Sequence, residues 1–274
     1  PKRKKSKPKE SVRKKSKTTR QKKEQPSPAV ILEKFTDKIE EEYNVIFKPN
    51  DGPQTDFLAA SEREVLYGGS AGGGKSYAML ADPLRYMGNP AFSGLLLRHT
   101  TEELRELITK SQEMYPKIWP GIKWSERKMQ WTAPSGAKLW LSYLDKDQDV
   151  TRYQGLAFSW IGFDELTQWA TPFAWSYMRS RLRSADPTLP LSMRATTNPG
   201  GRGHGWVKKM FIDPAPAGKS YIATDIETGE QLKYPAGHEK AGRPLFKRRF
   251  IPARLKDNPY LAQQGDYEAM LLSL

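Results

Sequence analysis

The sequence contains no cysteine, which excludes disulfide frameworks, thiolate metal sites and cysteine nucleophiles. No stretch reaches the roughly eighteen apolar residues of a spanning helix, so nothing reads as a membrane anchor. The basic N-terminus lacks the apolar stretch that a signal peptide carries behind its positive end. A soluble cytoplasmic protein is the resulting expectation. Histidine is scarce: His99, His204 and His238 are scattered without ligand spacing, which argues against a zinc site. No Ser-His-Asp arrangement and no internal repeat stand out. What remains is 274 residues, material for one large domain or two small ones around a buried core. The eight tryptophans suit core and interface filling better than base stacking.

The net charge of +14 is unevenly placed. Residues 1–25 hold thirteen Lys or Arg against Glu10 and Glu24, a balance of +11 that leaves +3 for the other 249 residues. This tail has one aliphatic residue, Val12, and cannot bury enough to order itself. Such an arm can grip phosphates without regard to base sequence and in a salt-sensitive way. A merely solvated arm, or an import-like signal, fits the same composition.

The chain is organised around residues 65–76, Val-Leu-Tyr-Gly-Gly-Ser-Ala-Gly-Gly-Gly-Lys-Ser. Val65, Leu66 and Tyr67 are a short β-prone run, and Gly69 through Ser76 fits G-x-x-x-x-G-K-[ST]. Helix-forming residues follow from Tyr77 to Ala81, which completes the strand, loop and helix context of a phosphate loop. Glycines at 69, 72, 73 and 74 permit backbone conformations that turn successive amides toward a phosphate, with Ser70 and Ala71 between them. Lys75 would reach the β- and γ-phosphates, Ser76 would hold Mg²⁺, and the helix start adds a positive dipole end. A chance glycine-rich turn is the competing reading, and the matched context argues against it.

Elsewhere, residues 29–43 look like a short amphipathic helix and residues 44–53 like a polar turn. Gln54 precedes the first core strand at a distance where a glutamine can read both edges of adenine; a surface glutamine in a loop fits equally. The helix from Lys75 is expected to stop near Gly88-Asn89-Pro90. Gly94 to Leu97 reads as a strand covered on both faces, ending at Arg98. Thr100 or Thr101 caps a helix, and Lys128–Thr132 with Ala137–Tyr143 form a hairpin around Pro134-Ser135-Gly136. Two further apolar runs, 158–163 and 191–197, end in polar residues. Strands alternating with helices predict an α/β sheet with ligands at the strand carboxyl ends. Residues 219–223 and 245–251 look strand-like, and residues 258–272 helical.

Asp164-Glu165 closes one of those runs. An Asp there can hold Mg²⁺ through water, opposite Ser76, and the adjacent Glu, pointing to the other side, can polarise an attacking water. Strands often end in acidic turns, but a phosphate loop about ninety residues upstream gives this pair a partner. The separation favours the P-loop division that activates water with a glutamate. Thr196, Thr197 and Asn198 end the next strand, where hydroxyl and amide groups could sense a γ-phosphate or simply cap the strand before Pro199-Gly200-Gly201.

Taken together these residues resemble the large terminase subunit of tailed bacteriophages, the ATPase that drives double-stranded DNA into a procapsid. The resemblance covers roughly residues 45–274. It rests on Gln54, the loop Gly69–Ser76, Leu97-Arg98-His99-Thr100, Arg152-Tyr153-Gln154-Gly155 before Asp164-Glu165, Ala195-Thr196-Thr197-Asn198-Pro199, and Asp257-Asn258-Pro259. It implies a P-loop NTPase of the catalytic-glutamate (ASCE) division, mainly parallel, with a small lid subdomain. It also implies ATP and Mg²⁺ as cofactors, with Lys75 on the phosphates, Ser76 and Asp164 on the metal, and Glu165 activating water. Thr196, Thr197 and Asn198 would couple hydrolysis to lid movement, and Gln54 would read adenine. Arg152, or failing that Arg98, would reach the γ-phosphate of a neighbouring subunit. The implied partners are double-stranded DNA, the portal protein and procapsid, the small terminase subunit and further copies in a ring, in the host cytoplasm. Lys208-Lys209 and Lys247-Arg248-Arg249 are candidate DNA contacts, though solubility explains them as well.

There are two departures from the family pattern. Positions 70–73 hold no arginine, which some relatives place inside the loop. Relatives also continue into a nuclease domain where this chain stops, so no nuclease activity is expected of it. The expected division is a basic tail over 1–28, an ATPase core over 29–205, and the remainder with a lid over 206–274. Rival readings are another DNA-dependent P-loop motor such as a helicase, and a non-catalytic DNA-binding protein with a degenerate nucleotide site.

Overall fold

A computed structural model describes residues 45, 47–70 and 72–258. The basic tail, the helix expected over 29–43, Ala71, and residues 259–272 of the expected closing helix lie outside those residues. The chain divides between Val45 and Ile46, and the sheet and its helices belong to the unit from Ile46 onward.

Nine strands among the described residues form one sheet. In chain order they are β1 (Glu64–Gly69), β2 (Ser93–Arg98), β3 (Lys123–Ser125), β4 (Gln130–Thr132), β5 (Lys138–Tyr143), β6 (Trp160–Phe163), β7 (Ser192–Thr197), β8 (Ser220–Ile222) and β9 (Lys247–Ala253). Their spatial order is β3-β4-β5-β2-β6-β7-β1-β9-β8. The run from β5 to β9 is parallel, while β3 and β4 on one edge and β8 on the other are antiparallel. This is the mainly parallel α/β sheet that the alternating pattern predicts.

Parallel strands are covered on both faces, and the pleat assigns alternate residues to two cores. In β1, Val65 and Tyr67 join one apolar cluster and Leu66 the other. In β2, Leu96 faces the first, with Leu95 and Leu97 in the second. The first face is covered by α1 (Pro53–Ala59), α2 (Lys75–Ala81) and α3 (Thr101–Ile118), through Phe57, Met79, Leu80, Leu104 and Tyr115. The second is covered by α4 (Phe173–Arg179) and α5 (His204–Val207), through Trp175, Met178 and Val207. Helices α1 and α2 have seven residues each, below the ~12–15 at which an isolated helix becomes stable. Packing holds them, at roughly 1.5–3 kcal/mol for each large apolar side chain buried.

Two local differences have physical causes. The helix from Lys75, expected to continue toward Gly88, turns into a 3₁₀ segment at Asp82–Tyr86. Pro83 is responsible: it lacks the N–H the next turn needs, and its ring clashes with the carbonyl four residues back. Lys247-Arg248-Arg249, read as a basic surface run, is split by the strand period. Lys247 is exposed, whereas Arg248 is buried, its Nε 2.6 Å from Glu64 Oε2. Arg179 reaches the other Glu64 oxygen at 2.5 Å. Burial raises the Glu64 carboxyl, and the two arginines more than offset it, holding the group below the usual carboxylate range. Arg248 is thus a structural ion pair and not a DNA contact.

Candidate active site

Register brings the strand ends together. Leu97 of β2 lies beside Phe163 of β6, Phe163 beside Ala195 of β7, and Thr196 and Thr197 beside Tyr67 and Gly68 of β1. The residues that follow these positions (Arg98, Asp164, Glu165, Asn198 and the phosphate loop) therefore leave the sheet at one edge. A cleft of about 370 Å³ opens there, lined by Gly72–Tyr77 together with Arg98, Glu106, Lys110, Glu165, Asn198 and Asn258.

The loop is pinned from several sides. Gly69 has φ +141°, and a Cβ at this position would lie 1.9 Å from the Ala253 carbonyl oxygen, so only glycine fits. Next to it, the Ser70 N–H donates to that same carbonyl at 3.0 Å. The Tyr67 hydroxyl donates to the Gly73 carbonyl at 2.8 Å, and Asn258 Nδ2 to the Gly72 carbonyl at 2.5 Å. Gln54 lies in α1 and is buried, which removes the surface-loop alternative. Its Nε2 donates to the Gly74 carbonyl at 2.9 Å, and its Oε1 accepts from the Asn50 N–H at 2.6 Å. Both ends of the amide that could read adenine are here bonded to protein, and the Nε2 end braces the loop.

Lys75 Nζ donates to the Ser70 carbonyl at 2.6 Å and to Asn198 Oδ1 at 2.8 Å. Asn198 in turn donates from its backbone N–H to Glu165 Oε2 at 3.0 Å and from Nδ2 to Glu165 Oε1 at 2.7 Å. One asparagine thus joins the loop lysine to the strand glutamate. Burial, then the neighbouring Asp164 charge, raises the Glu165 carboxyl above its ordinary range, against Lys75, Arg98 and the Asn198 N–H. Burial likewise draws the Lys75 amine below its ordinary value, with Glu165 and Asp164 pulling the other way. Glu165 takes a left-handed backbone, φ +58°, a strained conformation of the kind that clusters at functional sites. Its N–H donates to Thr196 Oγ1 at 3.0 Å, and the Thr196 hydroxyl donates to Asp164 Oδ1. The Thr197 hydroxyl does not line the cleft; it lies 2.9 Å from Thr167 Oγ1 and 3.0 Å from the Asn198 carbonyl oxygen.

Both arginine candidates can be located. Arg98 lines the cleft and is ion-paired through Nη1 to Asp164 Oδ2. Arg152, 41% exposed, is 3.5 Å from Asp149 on the 3₁₀ segment Asp147–Tyr153 and does not line the cleft of its own chain. Sequence reasoning passed over Glu103 and Gln168. Glu103 completes a capping box with Thr100 and stands 3.6 Å from Arg98 Nε; Gln168 Nε2 donates to Glu103 Oε1 at 2.7 Å. The T-x-x-E spacing that signals such a box was available in Thr100–Glu103. No local signal announces the Gln168 contact.

Known proteins similar to this chain bear on its family and its fold. The family model for the terminase large subunit, T4likevirus-type, N-terminal, matches residues 66–228. The large terminase from a thermophilic bacteriophage is similar at a TM-score of 0.55 and 14% identity, over 81% of this chain and 50% of that one. Another crystal form of the same phage protein, in complex with ADP, gives 0.54 and 14%, over 81% and 49%. The Thermus phage P74-26 large terminase ATPase domain gives 0.52 and 12%, over 87% of this chain and 92% of that one. None of the curated proteins matches the chain. The chain spans about half the length of the first of these terminases, and at such identities the structural likeness speaks to the fold alone. The family match covers more than half of the chain and takes in the end of the phosphate-loop strand, the acidic pair and Thr196–Asn198. The chain therefore belongs to the terminase large subunit family, T4likevirus-type, through that family's N-terminal region.

Proposed function

We propose that this chain is the ATP-hydrolysing motor domain that moves double-stranded viral DNA into a procapsid. The observation that carries the reading is the hydrogen-bonded chain from Lys75 through Asn198 to Glu165, which joins the ends of three strands at one cleft. Family membership, and the ADP held by the thermophilic phage's large terminase, support an adenine nucleotide as the ligand. In this reading the loop amides and Lys75 take the phosphates, and Glu165 accepts a proton from the attacking water.

Ser76 and Asp164 would hold Mg²⁺. Their hydroxyl and carboxylate oxygens are hard donors, and this ion binds through one or two carboxylates, phosphates and waters instead of an all-protein cage. When bound, the ion neutralises charge on the β- and γ-phosphates. Asn198 supplies the coupling: a shift of its side chain on phosphate loss frees Lys75 and Glu165 together. The exposed position of Arg152, outside its own cleft, supports a role in a neighbouring subunit. A packaging motor accepts any sequence, so DNA is gripped through its phosphates, for which exposed Lys208, Lys209 and Lys247 are available. The portal, the small terminase subunit and a ring of copies complete the proposed machine.

Glu165→Gln tests the assignment. Turnover should fall at least ~10²-fold, as for loss of a general base, while Mg–ATP binding stays within about threefold. Normal hydrolysis by that variant would remove Glu165 from the chemistry.

A further inference from the structure

Asp164 is buried, 1% exposed, and no oxygen of its carboxylate is left unbonded. Oδ1 accepts from the Thr196 hydroxyl and Oδ2 is paired with Arg98 Nη1. A buried carboxylate needs a cationic partner, and in the protein alone Arg98 is that partner. Arg98 also lines the nucleotide cleft, whereas Asp164 does not, so an ion arriving there meets the guanidinium already paired with that carboxylate. An arginine and a divalent cation drawn to one carboxylate repel each other, so each weakens the other's hold on it.

A second anchor for Arg98 is already in place. Its Nε is a buried donor without a hydrogen-bond partner, and Glu103 Oε2 lies 3.6 Å away, too far for a bond and close enough for a small rotation to make one. Glu103 is held still for this. Its other oxygen accepts from Gln168 Nε2 at 2.7 Å, and Oε2 accepts from the Thr100 N–H at 3.3 Å in the capping box. Burial raises the Glu103 carboxyl, but the Gln168 bond and the Arg98 charge outweigh it and keep the group anionic.

We propose that Arg98 guards Asp164 in the nucleotide-free protein and that Glu103 is the positioning residue which receives the guanidinium when a divalent cation arrives with the nucleotide. The proposal rests on the nucleotide site described above. Arg98 competes with the metal, and Glu103 weakens that competition by offering the arginine another partner. Removing each therefore has opposite effects.

The test is a Mg²⁺ titration of fluorescent mant-ADP binding to the full chain, with ADP chosen so that no γ-phosphate contact to Arg98 enters. Arg98→Gln should lower the half-saturating Mg²⁺ at least fivefold, and Glu103→Gln should raise it at least threefold. On the Arg98→Gln background, Glu103→Gln should have no further effect, because Glu103 acts through the arginine. No change in either variant overturns the proposal, and so does a change of the same sign in both, which is what general damage to the site produces. If Arg98→Gln does not fold, the Glu103→Gln titration alone decides: a rise supports the proposal, and no change or a fall overturns it. Lys75→Ala separates the two levels of inference. Wild-type mant-ADP affinity in that variant removes the nucleotide site itself, whereas lost affinity there with unmoved Arg98 and Glu103 variants removes only the guard.

Discussion

Glu165 combines a strained backbone, a carboxylate gripped at both oxygens by Asn198, and a pKa raised chiefly by burial. The raised value has a consequence for stability. The folded state binds this proton more tightly than the unfolded chain, so the contribution is fully present below the unfolded carboxyl value. It is lost as pH rises through the folded one. Glu165→Gln abolishes the titration. Its melting temperature minus that of the wild type should therefore grow as pH climbs from the ordinary glutamate range through the raised value. The gain amounts to about 2–4 °C for each kcal/mol of relieved penalty. Thermal melts across that window are the measurement, and a difference that does not vary with pH would count against the raised value.

At the scale of elements, the glycine-rich loop Gly69–Ser76 is a junction. Strand β1 carries it, β9 closes against it through Ala253, α1 braces it through Gln54, and α2 begins from it. Gly69→Ala strikes that junction. The new methyl would meet the Ala253 carbonyl while φ stays at +141°, so β1 and β9 must part at their ends. A cost above ~2 kcal/mol is expected, seen as a melting temperature lower by at least about 4 °C, with weaker nucleotide binding. Unchanged stability would mean that the loop does not depend on β9. The 3₁₀ segment after α2 was less legible than the loop. Pro83 marks the break, but the apolar pattern carries on past it to Met87, so periodicity and proline point to different helix ends.

At the scale of the whole molecule, Arg98 faces inward on its own Asp164 while Arg152 stands outside its own cleft. A trans-acting arginine predicts complementation between dead subunits. Arg152→Ala and Glu165→Gln should each abolish turnover alone. Mixed in equal amounts they should recover about a quarter of wild-type activity, the share of interfaces that pair an intact Glu165 with an intact Arg152. Steady-state ATPase assays at concentrations that support assembly read this directly. No recovery on mixing would assign Arg152 to its own subunit.

What the sequence determined by itself was local: the glycine-lysine-serine loop, the apolar runs that became central strands, the acidic pair at a strand end, and the Thr-Thr-Asn tip. Each is written within a few residues and needs only backbone sterics or the strand period to be read. Tertiary structure decided everything that depends on strand order. Lys75 meets Asn198 across 123 positions because β7 lies beside β1, and Arg98 meets Asp164 across 66 because β2 lies beside β6. Arg248 turned inward to Glu64, 184 positions away, although its charged neighbours in sequence pointed to a surface. Pairing free energy is released only when distant segments are already adjacent, and no window of neighbouring residues contains that information.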